Sequence, residues 1–97
     1  MLNNYAYNLS LDRKNLKKAE KMSRKSLEAE PDNASFLDTY GYILYLRKDY
    51  ENAKVYLKKA IVHGGNNNKD VLYHYALVLE ALGEKDLADF YMNKSQK

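Results

Sequence analysis

Histidine is the side chain best suited to moving protons near neutral pH, and this chain has two, His63 and His74. They fall on different stretches and form no pair in the sequence. His63 precedes Gly64–Gly65, a place where an imidazolium would complement the C-terminal dipole of a helix. His74 reads as packed or solvated. Asp38 and Glu80 read as carboxylates without a companion base. No H-E-x-x-H, G-x-S-x-G or P-loop is present. Gly64–Gly65 is a lone pair in a turn, too little to cradle a phosphate. Cysteine is absent, which removes disulfides, thiolate metal sites and Cys nucleophiles together. The sequence therefore offers no catalytic residues, no metal site and no cofactor site, and it points away from an enzyme.

Two residue sets could support binding. Arg13, Lys14, Lys17, Lys18, Lys21, Arg24 and Lys25 crowd one stretch, with Lys17, Lys21 and Arg24 on one face at helical spacing. Such a stripe could meet phosphates or an anionic lipid surface. Glu20, Glu28 and Glu30 break up its field, and the net charge of +3 is mild. Both facts argue against nucleic acid and membrane as partners. The second set is the ten tyrosines, which occur without any tryptophan. Tyrosine supplies large, stiff, amphipathic contact area and is enriched at protein interfaces.

The elements that position these residues follow from a repeat. Ala6, Gly41 and Ala76 are 35 apart; Ala19, Ala53 and Ala88 are spaced 34 and 35; Ser26, Ala60 and Ser95 follow seven residues behind. A beat of this size marks stacked structural repeats. Within each beat the apolar period is helical: Leu2, Tyr5, Ala6, Leu9; Leu37, Tyr40, Gly41, Leu44; Leu72, Tyr75, Ala76, Leu79. Second helices carry Leu16, Ala19 and Met22, then Tyr50, Ala53 and Leu57, then Leu87, Ala88 and Tyr91. Caps are predicted at Asn15, Asp32–Asn33, Asp49 and Asn68 or Asp70, with Gly83 as a C-terminal glycine. The prediction is six helices in one domain over 1–97, with units at about 1–33, 34–67 and 68–97. Small residues recur because helices approach to about 8–10 Å only where side chains at the crossing are small. Gly41 is expected to face Ala53 and Ala60 in this way.

The pattern resembles the tetratricopeptide repeat, a helix–turn–helix unit. The middle unit carries it most clearly, through Leu37, Gly41 and Leu44, then Tyr50 and Ala53, then Ala60. The third unit fits with Ala76, Gly83, Ala88 and Ser95, and the first with Ala6 and the stretch from Ala19 to Pro31. The resemblance covers the chain. It implies an all-α fold, an α-solenoid of three hairpins in a right-handed superhelix. Gly65 stands where the second unit would have its proline, and an extra Asn there suggests a looser turn. Gln96 stands where earlier units have Leu27 and Ile61. That polar replacement suggests the C-terminal part of a longer, bacterial-type repeat protein, or a trimmed piece of one.

The resemblance also implies a site. First helices of such units line a concave groove where peptides or helices of another protein dock. By register, Asn3, Tyr7, Ser10, Asp38, Tyr42, Tyr45, Leu46, Tyr73, Leu77 and Glu80 would line it. Some relatives hold a C-terminal carboxylate with a Lys/Asn/Arg clamp. The matching positions here are Asn3, Tyr7, Thr39, Asp70 and His74, with no Lys or Arg, so a carboxylate clamp is not expected. The expected function is protein–protein interaction in a Tyr-rich groove. The alternative is a structural spacer or homodimerisation element, with Leu2, Tyr5 and Leu9 as the self-association face.

Overall fold

The computed structural model describes residues 16–96. Among them run five α-helices: α1 (Leu16–Ala29), α2 (Ala34–Leu46), α3 (Tyr50–Val62), α4 (Lys69–Ala81) and α5 (Lys85–Ser95). A 3₁₀ turn, Gly65–Asn67, separates α3 from α4. No strand occurs among the described residues. Each helix packs on the next in the chain, with the closest pairing inside the hairpins α2–α3 and α4–α5. The predicted helix built on Leu2, Tyr5, Ala6 and Leu9, and the predicted cap Asn15, lie outside the described residues.

Local chemistry explains most boundaries. The Asn33 side chain accepts from the Phe36 amide at 3.1 Å and starts α2. Asn68, rather than Asp70, starts α4 by accepting from the Asp70 and Val71 amides at 2.9 and 3.3 Å. Asp49 occupies the N-cap position of α3 but caps no amide; its carboxylate accepts from the Asn52 side chain at 2.9 Å. Beyond α4 the chain turns through Gly83 at φ +84°, as a C-terminal glycine should. The matching residue after α2 is Lys48, at φ +66°, where a Cβ is unfavourable.

The small residues sit at the helix crossings. Ala19, Ala53, Ala60 and Ala76 are fully buried. Where serine replaces alanine, the hydroxyl turns back on its own helix: Ser26 donates to Met22 O at 3.4 Å and Ser95 to Met92 O at 2.7 Å. Gly41 differs from expectation in its partner. A Cβ there would lie 2.7 Å from Leu57 Cγ, so the close approach is to Leu57, which lies between Ala53 and Ala60 along α3. Leu57 is itself fully buried, worth about 1.5–3 kcal/mol by transfer.

The Gly64–Asn68 turn is not the looser connection its composition suggests. Gly64 takes φ +116°, and Gly65 is buried against the Ala60 carbonyl. A Cβ at Gly65 would come within 2.6 Å of that oxygen. Glycine stands here because the backbone of the turn packs directly on α3. Lys94 Nζ donates to Asn66 Oδ1 at 2.6 Å and ties α5 to the same turn.

Candidate partner-binding groove

Helices α2 and α4 are the first helices of consecutive units, and they touch. On α2, Asp38, Tyr42 and Tyr45 stand at i, i+4, i+7; on α4, Tyr73, Leu77 and Glu80 repeat the spacing. This spacing puts each set on one face. Tyr42, Tyr45, Leu46 and Leu77 are half-buried, while Tyr73 and Glu80 are exposed. Asn3, Tyr7 and Ser10 lie outside the described residues, as do Leu2, Tyr5 and Leu9.

The rings on this face form a connected run. Tyr42 stacks on His74 at 4.1 Å and near-parallel to Tyr45 at 6.0 Å. Tyr45 leans on Tyr50 at 5.6 Å, and Tyr73 meets His74 at 6.1 Å. The run Tyr50–Tyr45–Tyr42–His74–Tyr73 thus crosses from α3 over α2 to α4. Burial pushes the Tyr45 phenol above its ordinary range, and the nearby Tyr50 and Glu80 reinforce the shift.

Asp38 has a companion that the sequence reading did not give it. Its Oδ1 lies 2.8 Å from His74 Nδ1, and both residues are buried. With Asp38 ionised, Nδ1–H donates to it. This pair ties α2 to α4 beneath the Tyr42 ring. It also uses the Asp38 carboxylate inside the fold, so Glu80 is the acid that the predicted groove set leaves exposed. The signal was present in the register: Asp38 matches Tyr73 one unit on, and His74 is the next residue. Tyr50, assigned in the sequence to helix packing, also joins the aromatic run.

The other candidates separate from this face. His63 caps the end of α3, with Nε2 3.5 Å from Asp32 Oδ1. Lys17, Lys18, Lys21, Arg24 and Lys25 are exposed on α1, while Glu20 accepts from Arg47 at 2.7 Å. Arg13 and Lys14 lie outside the described residues. No cluster of His, Cys, Asp and Glu suited to a metal occurs among the described residues.

Comparison with known proteins adds two findings. Residues 12–94 match the family described as anaphase-promoting complex, cyclosome, subunit 3, whose repeats are of the tetratricopeptide type. The chain is also 34% identical over 70 residues to the PsbD mRNA maturation factor Nac2, chloroplastic, of Chlamydomonas reinhardtii. That match takes in 72% of this chain and 5% of the algal protein's length.

Proposed function

This chain belongs to the anaphase-promoting complex, cyclosome, subunit 3 family, and from that premise we propose that it holds a peptide or helix of another protein on the tyrosine face of α2 and α4. The observation that carries the reading is the ring run Tyr50–Tyr45–Tyr42–His74–Tyr73, which spans two first helices. Stiff rings lose little side-chain entropy on binding, so an apolar segment laid across them gains contact area at low cost. Glu80 at the exposed edge disfavours acidic partners at this site. The three units, at about 1–33, 34–67 and 68–97, are proposed to stack as one array that presents this face.

The face is a binding surface rather than a catalytic one. The Asp38–His74 pair has the composition of an acid–base dyad, but His74 is 5% exposed and roofed by the Tyr42 ring. A general base must reach the proton it removes, and this imidazole is spent on holding two helices together.

Selection of a displayed random-peptide library tests the reading. The wild-type chain should enrich apolar peptides, and Tyr42→Ala/Tyr45→Ala should lose them while keeping its helical circular dichroism, with a lowered unfolding midpoint because both rings are half-buried. Equal enrichment by the folded double variant would overturn the assignment.

A further inference from the structure

A second cleft lies on the opposite side of α2. Tyr40 and Tyr42 are two residues apart on a helix, about 200° around its axis, so they point to opposite faces. Tyr40 helps line a cleft of ≈ 380 Å³ between α1, the Pro31 turn and α3. Its apolar lining is Leu27, Pro31 and the deeply buried Leu37.

Two cations flank this cleft. Arg24 Nη2 lies 3.4 Å from the Tyr40 hydroxyl. Lys59 Nζ stands 5.3 Å from the Tyr56 ring centroid, a cation–π contact. Among the described residues, Glu28 is the one acid in the lining. Beyond Arg24, the exposed Lys17, Lys21 and Lys25 extend the positive field along α1. Glu20 lies 3.8 Å from Arg24 but only 2.7 Å from Arg47, so its carboxylate is committed mainly to Arg47.

We propose that this cleft is a docking site for an acidic protein segment with one apolar anchor, the anchor entering between Leu27 and Tyr56 and its flanking carboxylates meeting Arg24 and Lys59. The charge pattern and the volume choose the occupant. At ≈ 380 Å³ the recess has room for an anchoring side chain and the backbone beside it, and its floor is apolar, which a phosphate backbone does not need. Tyr40 and Tyr56 meet edge to face at 4.7 Å, with Tyr40 7% exposed, so Tyr40 offers no free face for stacking a nucleobase. A flat lipid surface would leave the recess unfilled.

The test uses the whole chain and a short fluorescein-labelled peptide with one Leu flanked by Asp and Glu, read by fluorescence anisotropy. Arg24→Gln/Lys59→Gln should weaken binding about tenfold or more, the size of one good charge pair. Glu28→Lys should tighten it. Both changes are on exposed side chains, so folding persists and circular dichroism checks it. Tyr42→Ala/Tyr45→Ala should leave this binding unchanged, which separates the cleft from the tyrosine face. The proposal fails if the Arg24/Lys59 variant binds equally well. It fails also if a peptide with Ser for Leu binds as tightly, or if a single-stranded oligonucleotide displaces the peptide, since either result would reduce the site to a charged stripe.

Discussion

Replacing Gly41 by Ala adds one methyl group at the tightest point of the α2–α3 hairpin. In an ordinary helix this change stabilises by about 0.5–1 kcal/mol, because glycine loses more backbone entropy on folding. Here the new Cβ would lie 2.7 Å from Leu57 Cγ and 3.3 Å from the Leu57 amide nitrogen. Carbon atoms prefer about 3.5–4.0 Å, so the helices must part by roughly 1 Å or Leu57 must leave its rotamer. Leu57 is fully buried and has little room to yield. Overpacking of this kind costs about 1–3 kcal/mol, which set against the helix gain of about 0.5–1 kcal/mol leaves a net loss centred on about 1 kcal/mol and reaching about 2.5 kcal/mol. For a domain of this size that lowers Tm by about 4–8 °C per kcal/mol. Urea and thermal unfolding of Gly41→Ala measure it directly. A cycle with Leu57→Ala isolates the cause: in that background the methyl has space, and Gly41→Ala should become neutral or stabilising. Stabilisation by Gly41→Ala in the Leu57 background would refute the close-approach account.

Three further outcomes follow from the same geometry. Lys48 holds φ +66° where the third unit has Gly83 at φ +84°, so Lys48→Gly should gain up to about 1 kcal/mol and Gly83→Ala should lose about as much; paired thermal melts check both signs. Asp38→Ala removes the carboxylate facing buried His74 at 2.8 Å and should cost about 1.5–3 kcal/mol, with Asp38→Asn costing less because an acceptor remains; urea midpoints of the two variants rank them. Alkaline pH should destabilise the fold: the hydrogen bond that the Lys54 ammonium donates to Glu84 holds it above its ordinary 10.5, and burial holds Tyr45 and Tyr75 above 10.0. All three values are raised by folding, so their contribution is complete below about pH 10 and is lost as pH rises through the higher folded values. A urea midpoint unchanged between neutral pH and the tyrosine titration range would contradict this.

What the sequence made legible was local. The helical apolar period, the Asn33 and Asn68 caps and the turn at Gly83 depend on neighbours within one turn of chain, and pattern reading reaches that far. The buried alanines were legible because each unit repeats the same crossing. The remainder needed the third dimension. Leu57 as the partner of Gly41 depends on how two helices interdigitate, which the alanine spacing alone does not specify. Gly64–Asn68 reads as loose by composition, yet its glycines serve a positive φ and a close backbone approach. Asp38 and His74 are 36 residues apart, in different units and one position off the repeat, so reading each unit singly hides the pair. Asp49 finds a side-chain donor in Asn52, a local competitor that cap statistics do not include. The positive φ of Lys48 is hidden from pattern reading because lysine is not a turn signal; its alignment with Gly83 is the clue the sequence carries.

The tyrosine face of α2 and α4 is proposed to receive the partner. Amide chemical-shift mapping of the isotope-labelled chain with a library-selected peptide tests it most directly. Shifts should concentrate at Tyr42, Tyr45, Leu46, Tyr73, Leu77 and Glu80 and be abolished in Tyr42→Ala/Tyr45→Ala. Shifts confined to α5 or to the Arg24–Lys59 side of α2, with the tyrosine face silent, would contradict it.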